Sequence, residues 1–179
     1  MSKECIRMLL NRFVKPTLFV LICHAFFLSP LMALESDKDQ PIKIEADHST
    51  FDEPNGIQTL TGNVRITQGS LNIRADKIVL QLQKGVLQRM SGTGTPVTFQ
   101  QLNVQQQMVF GESNTIEYSA EETLLTLTGN AKLTQPNQQL SGQIITYNTD
   151  TQVVSASKGP ADSQPVQIII QPQRPSAEE

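Results

Sequence analysis

Thr59-Leu60-Thr61-Gly62-Asn63 returns letter for letter as Thr126-Leu127-Thr128-Gly129-Asn130. An internal repeat is read before any other signal, because it sets the structural unit before single elements are assigned. Holding the offset of 67 residues (126 − 59) fixed aligns Ile44 to Gln81 with Gly111 to Asn148 without a gap. Thr67-Gln68 then falls on Thr134-Gln135, Ile78 on Ile145, Phe51 on Tyr118 and Leu80 on Tyr147. Two copies of one β-rich unit, about residues 41 to 100 and 108 to 170, therefore form the skeleton.

A shorter phrase recurs inside each copy. Ile44 to Phe51, Ile73 to Leu80, Gly111 to Tyr118 and Leu140 to Tyr147 all run apolar (or Gly), polar, small, then carboxylate or amide. Each closes on a β-prone run ending in Phe, Leu or Tyr. Strand residues i and i+2 share a face. Ile73 and Ala75 therefore face inward before Asp76, and Ile78 and Leu80 after it, so parity slips by one residue. Asp47, Asn114 and Gln143 mark the same slip. An extra residue that resets the inward side is a β-bulge or a tight corner, and short polar side chains suit it because they bond nearby backbone. Each phrase is read as two short strands joined at a bend, with the apolar lining kept through it. The Thr-Leu-Thr-Gly-Asn phrase holds its parity instead, with Leu60, Gly62, Val64 and Ile66 inward and Gly62 at a kink or close backbone approach. Asn55-Gly56 signals a hairpin turn, and Asn103 to Gln107 reads as a polar hairpin tip. Thr95 to Phe99 ends the first copy, with Val97 and Phe99 inward, and Gln164 to Ile168 is its counterpart after a small insertion.

The ends differ from this body. Residues 1–33 carry a basic start (Lys3, Arg7, Arg12, Lys15), an apolar run from Thr17 to Leu28 and a small residue at Ala33. That is the layout of a secretory signal peptide, expected to be cleaved after Ala33. The apolar run falls short of the ~20 residues of a membrane-spanning helix, and Ile22 before Cys23 argues against lipidation. Residues 34–40 read as a linker, 41–170 as one domain and 171–179 as a disordered tail. Cleavage would remove both cysteines, so the domain must be stable without disulfides. It would also take four of the 14 basic and one of the 17 acidic residues, leaving 10 against 16, a net −6. That sign opposes binding to nucleic acid or to an anionic membrane surface.

Catalytic chemistry finds no footing. A nucleophile needs a base within reach, and beyond the leader the one histidine is His48, on the outward side of a bend. No spacing suggests a metal site and no motif a cofactor. Asp47 and Asp76 invite a reading as paired acids, yet their counterparts are Asn114 and Gln143, and turn chemistry accounts for all four. The residues argue against an enzyme.

Gln40-Pro41-Ile42-Lys43-Ile44-Glu45-Ala46-Asp47, Thr61-Gly62-Asn63-Val64, Thr67-Gln68-Gly69, Ala75-Asp76-Lys77 and Leu127-Thr128-Gly129-Asn130-Ala131 occur in that order. In order and spacing they resemble the OstA-like family of lipopolysaccharide-transport periplasmic bridge proteins, over about residues 40 to 170. The chain departs from the family at Gln143-Ile144, where an acid-base pair is usual, and in its tail. The resemblance implies an all-β, open antiparallel jellyroll, two sheets bent into a slotted V around an apolar trough. It implies a periplasmic carrier of lipopolysaccharide, with an inner-membrane transporter complex and the N-terminal jellyroll of an outer-membrane translocon as partners. Joined to the parity reading, it makes Ile42, Ile44, Ile66, Ile73, Ile78, Leu80, Phe99, Tyr118, Leu127, Leu133, Ile145 and Tyr147 the expected lining for lipid A acyl chains. The competing reading closes the same residues into a dry β-sandwich, a secreted structural or adhesive module. Unpaired edge strands are templates for another chain. The apolar stretches Ile42 to Glu45 and Val166 to Ile170, with Pro41 and Pro172 outside them, are therefore expected to pair between molecules, as a head-to-tail homo-oligomer formed by β-augmentation.

Overall fold

A computed structural model describes residues 37–159 and 164–172. The expected leader, residues 34–36 of the linker and the tail beyond Pro172 lie outside the described residues. The strands are β1 (Lys43–Glu45), β2 (His48–Asp52), β3 (Ile57–Gln68), β4 (Leu71–Gln83), β5 (Val86–Leu102), β6 (Met108–Ser119), β7 (Leu124–Gln135), β8 (Gln138–Asn148), β9 (Val154–Ser157) and β10 (Gln167–Ile170). A 3-10 turn at Asp37–Asp39 precedes them. No helix among the described residues is long and apolar enough to cross a membrane.

All pair antiparallel in one sheet, in the order β1-β3-β4-β5-β6-β7-β8-β10, with β2 also on β3 and β9 also on β8. Besides a second shift of β4 against β5 at Gln81 and Leu82, neighbouring long strands break register between Thr61 and Val64, Arg74 and Lys77, Thr93 and Val97, Glu112 and Thr115, and Thr128 and Ala131. These breaks line up from strand to strand and form a seam along which the sheet folds over. β2 and β9 lie on one side of the seam, in layer one, and β1 and β10 on the other, in layer two. Leu60, Ile78, Ile116, Leu127 and Ile145 of layer one and Val64, Phe99, Val109 and Leu133 of layer two share one buried cluster. The result is an open antiparallel jellyroll, as expected from the sequence.

The seam shows what the repeated pentapeptide is for. Gly62 and Asn63 both take positive φ (78° and 48°), as do Gly129 and Asn130 (79° and 51°). A Cβ on Gly62 would lie 2.3 Å from Asp47 Oδ2, and one on Gly129 would lie 2.8 Å from Asn114 Nδ2. The bend residue of one phrase thus sits over the glycine of the other. Asn63 Nδ2 donates to Asp47 Oδ2 at 2.9 Å, and Asn130 Nδ2 donates to Asn114 Oδ1 at 3.5 Å. The same corner is built twice. Asp76 differs: it accepts a long 3.4 Å bond from the Thr95 hydroxyl rather than from backbone amides.

Burial follows the parity slips. Ile73 and Ala75, then Ile78 and Leu80, are buried, while Arg74, Asp76 and Lys77 are exposed. The second copy also repeats β5, but in two pieces. Leu80 faces Met90 and Ile73 faces Phe99, and correspondingly Tyr147 faces Val154 on β9 and Leu140 faces Ile168 on β10. Phe51, aligned with buried or half-buried aromatics in the repeat, is 54% exposed because β2 is an edge strand with nothing beyond it.

Candidate functional site

Between the layers, over the first copy, lies a cavity of about 320 Å³. Layer two supplies Ile44, Ile66, Leu71, Ile73 and Phe99 to its wall, and layer one supplies Leu80, Leu82, Leu87, Met90, Tyr118 and Leu125. Alternation along β3, β4 and β5 brings these side chains to one side, and the bulges at the seam keep them there in both layers. The polar lining, Asp37, Gln58, Gln68, Gln101 and Thr149, sits near strand ends or in turns, so it rims the opening while the depth stays apolar.

Asp37 is the charged member of that rim. Its Oδ1 accepts the Ser70 amide at 2.8 Å, and its Oδ2 accepts the Ser70 hydroxyl in a very short bond and Gln101 Nε2 at 3.4 Å. Burial alone would raise its pKa, but the bonds from Ser70 and Gln101 favour the carboxylate and hold it below the usual value. Residues 37–40, read from sequence as linker, are therefore tied to the body of the fold.

Of the twelve expected lining residues, Ile44, Ile66, Ile73, Leu80, Phe99 and Tyr118 are brought together on the cavity wall. Ile42 reaches it too, but at the mouth, where it is 55% exposed rather than inside. Ile78, Leu127, Leu133, Ile145 and Tyr147 face the same interior but are packed in the core and do not line the cavity. Period-two patterning names a face without saying what stands across from it. Leu71, Leu82 and Leu125 were missed although they extend the inward parity of Ile73, Leu80 and Leu127. Asp37 carried no signal in the sequence. Arg65 is exposed on the outward side, and Lys132, half-buried on that side, pairs with Glu112 at 3.4 Å.

A second concavity, about 440 Å³, involves outward side chains of layer one, with Arg89, Glu117 and Glu122 among Ile57, Val79 and Leu124. Its mixed charges suit an apolar ligand less well than the trough.

Comparison with known proteins adds four findings. Residues 43–153 match the family model described as LptA/(LptD N-terminal domain) LPS transport protein. The chain is 37% identical over 132 residues to the lipopolysaccharide export system protein LptA of Haemophilus influenzae, covering 72% of this chain and 77% of that one. It is 36% identical to LptA of Escherichia coli K12, over 71% and 70% of the two chains. Its fold is similar to the crystal structure of LptH, described as the LptA-homologous periplasmic component of the lipopolysaccharide transport device of Pseudomonas aeruginosa. There the TM-score is 0.70 at 26% identity, over 77% of this chain and all of that one.

Proposed function

The chain belongs to the family of LptA/(LptD N-terminal domain) LPS transport proteins, and on that footing we propose that it is a periplasmic carrier of lipopolysaccharide. The lipid's acyl chains occupy the trough while the phosphorylated sugar head stays outside. The observation that carries this reading is the apolar cavity between the layers, open at a polar rim. Each methylene held in water costs ~0.8 kcal/mol, so a shielded path across an aqueous compartment has a clear purpose. The cavity also weighs against the closed sandwich, whose two layers would meet throughout.

We read the two sheet edges as the ends of that path. At one end Ile42 and Phe51 stand exposed, and at the other Ile168 and Ile170. β10 carries no charge, and on β1 Lys43 and Glu45 neutralise one another at 2.7 Å. Pairing of β10 with β1 of the next molecule would continue the sheet and join the troughs, and jellyroll domains of an inner-membrane transporter and an outer-membrane translocon would take the same edges at the two ends of the bridge.

A charge placed on the wall tests the carrier reading. Leu82→Glu or Ile44→Glu should weaken lipopolysaccharide capture by about tenfold, since an unpaired charge must then be buried against acyl chains. Arg65→Glu, on the outward face, should leave it unchanged. Capture that is insensitive to charge at both wall positions would refute the proposal.

A further inference from the structure

Residues 37–41 precede β1 and belong to no strand. Asp37 at the start of this strap and Ile42 just after it both face the cavity. Side chains hold it to layer two: the amide and hydroxyl of Ser70 and the Gln101 amide bond Asp37, and Gln68 Nε2 donates to the Gln40 carbonyl at 3.1 Å. Ser70 is itself fixed, since its hydroxyl accepts the Leu102 amide at 2.9 Å. The turn at Gly69 presses close beneath, for a Cβ there would lie 2.2 Å from Asp37 Oδ1. The strap's backbone bond, Gln40 N–H to the Asp37 carbonyl at 3.2 Å, stays inside the strap and adds nothing to the sheet.

Two facts together imply movement. The cavity, about 320 Å³, is near the bottom of the range for pockets that take small ligands, roughly 300–1,000 Å³, whereas a lipid A-type amphiphile brings several acyl chains. The mouth must widen. Spreading β3, β4 and β5 would break ladder bonds across both layers, while releasing the strap exchanges a few half-buried side-chain bonds for bonds to water. Opening follows the least stable unit.

We propose that residues 37–41 are a latch across the trough mouth, fastened by Asp37 to the β3–β4 turn at Ser70, whose release admits the lipid. The proposal rests on the carrier reading, and its test separates the two. Asp37→Cys with Ser70→Cys, in a full chain whose Cys5 and Cys23 are replaced by Ser, would join strap and turn under oxidation and free them under reduction. Uptake of purified lipopolysaccharide is the readout. The oxidised form should load about tenfold more slowly than the reduced form, as expected when a closed lid gates entry, and dithiothreitol should restore the rate. Equal uptake in both redox states overturns the latch and leaves the carrier reading standing. No uptake by the parent chain overturns both. If the parent loads and the double variant does not in either state, Asp37→Asn decides, because it weakens the fastening without removing bulk. Faster loading than the parent at an unchanged unfolding midpoint supports the latch, and an unchanged or slower rate rejects it.

Discussion

Phe99→Ala will destabilise the chain by about 3–5 kcal/mol, the cost of emptying a large aromatic site in a packed core. Phe99 is 2% exposed, faces Ile73 on β4, and stands directly opposite Gly111 on β6. A Cβ on Gly111 would lie 2.5 Å from the Phe99 ring and 3.0 Å from Leu127 Cδ1, in the opposite layer. The ring therefore fills the space that a side chain at 111 would take, and it also forms part of the trough wall. Gly111→Ala should be destabilising alone and less so beside Phe99→Leu, because the smaller side chain leaves room for the methyl. Urea unfolding of the four chains of that cycle measures the coupling directly. Additive effects would mean that the two positions do not share that space.

Ile168→Pro should abolish head-to-tail oligomers while leaving each molecule able to bind lipid. β10 pairs with β8 along one edge only, in register Ile168 with Leu140, and all four of its residues are exposed. Proline removes a backbone donor and is tolerated on an edge strand only where that donor is not needed. Light scattering beside lipid capture on one sample gives both quantities. Oligomers of unchanged size would move the contact away from β10, and lost lipid capture with a lowered melting midpoint would mean that the strand holds the monomer together.

Much of this was legible in the sequence, for identifiable reasons. The parity slips at Asp47, Asp76 and Asn114 fall at the seam because a buried lining must change phase wherever a bulge adds a residue. The exact return of Thr-Leu-Thr-Gly-Asn encodes a corner that only a residue free to take positive φ, packed under Asp47 or Asn114, can form. Gln164 to Ile168 could be matched to Thr95 to Phe99 because Ile168 and Phe99 occupy the same register on β8 and β4. What stayed hidden depends on partners rather than periodicity. Ile145 and Tyr147 have the pattern of Ile78 and Leu80, yet Leu80 lines the cavity and the other three are in the packed core. Phe51 has the pattern of an inward aromatic, but no strand lies beyond it to cover it. Asp37 is held by Ser70, thirty-three residues away, a contact that no local pattern foretells.

On the carrier reading, the inward face of the folded sheet, and not its outside, holds the acyl chains. A light-activated cross-linking residue placed in turn at Leu82, Tyr118, Arg65 and Lys132 tests it most directly, with capture of lipopolysaccharide read on a gel after illumination. Leu82 and Tyr118 lie on the cavity wall and are only half-buried, so they take a larger side chain without emptying the core. Capture at Leu82 and Tyr118 with none at Arg65 and Lys132 is the predicted result; equal capture at all four positions would contradict it.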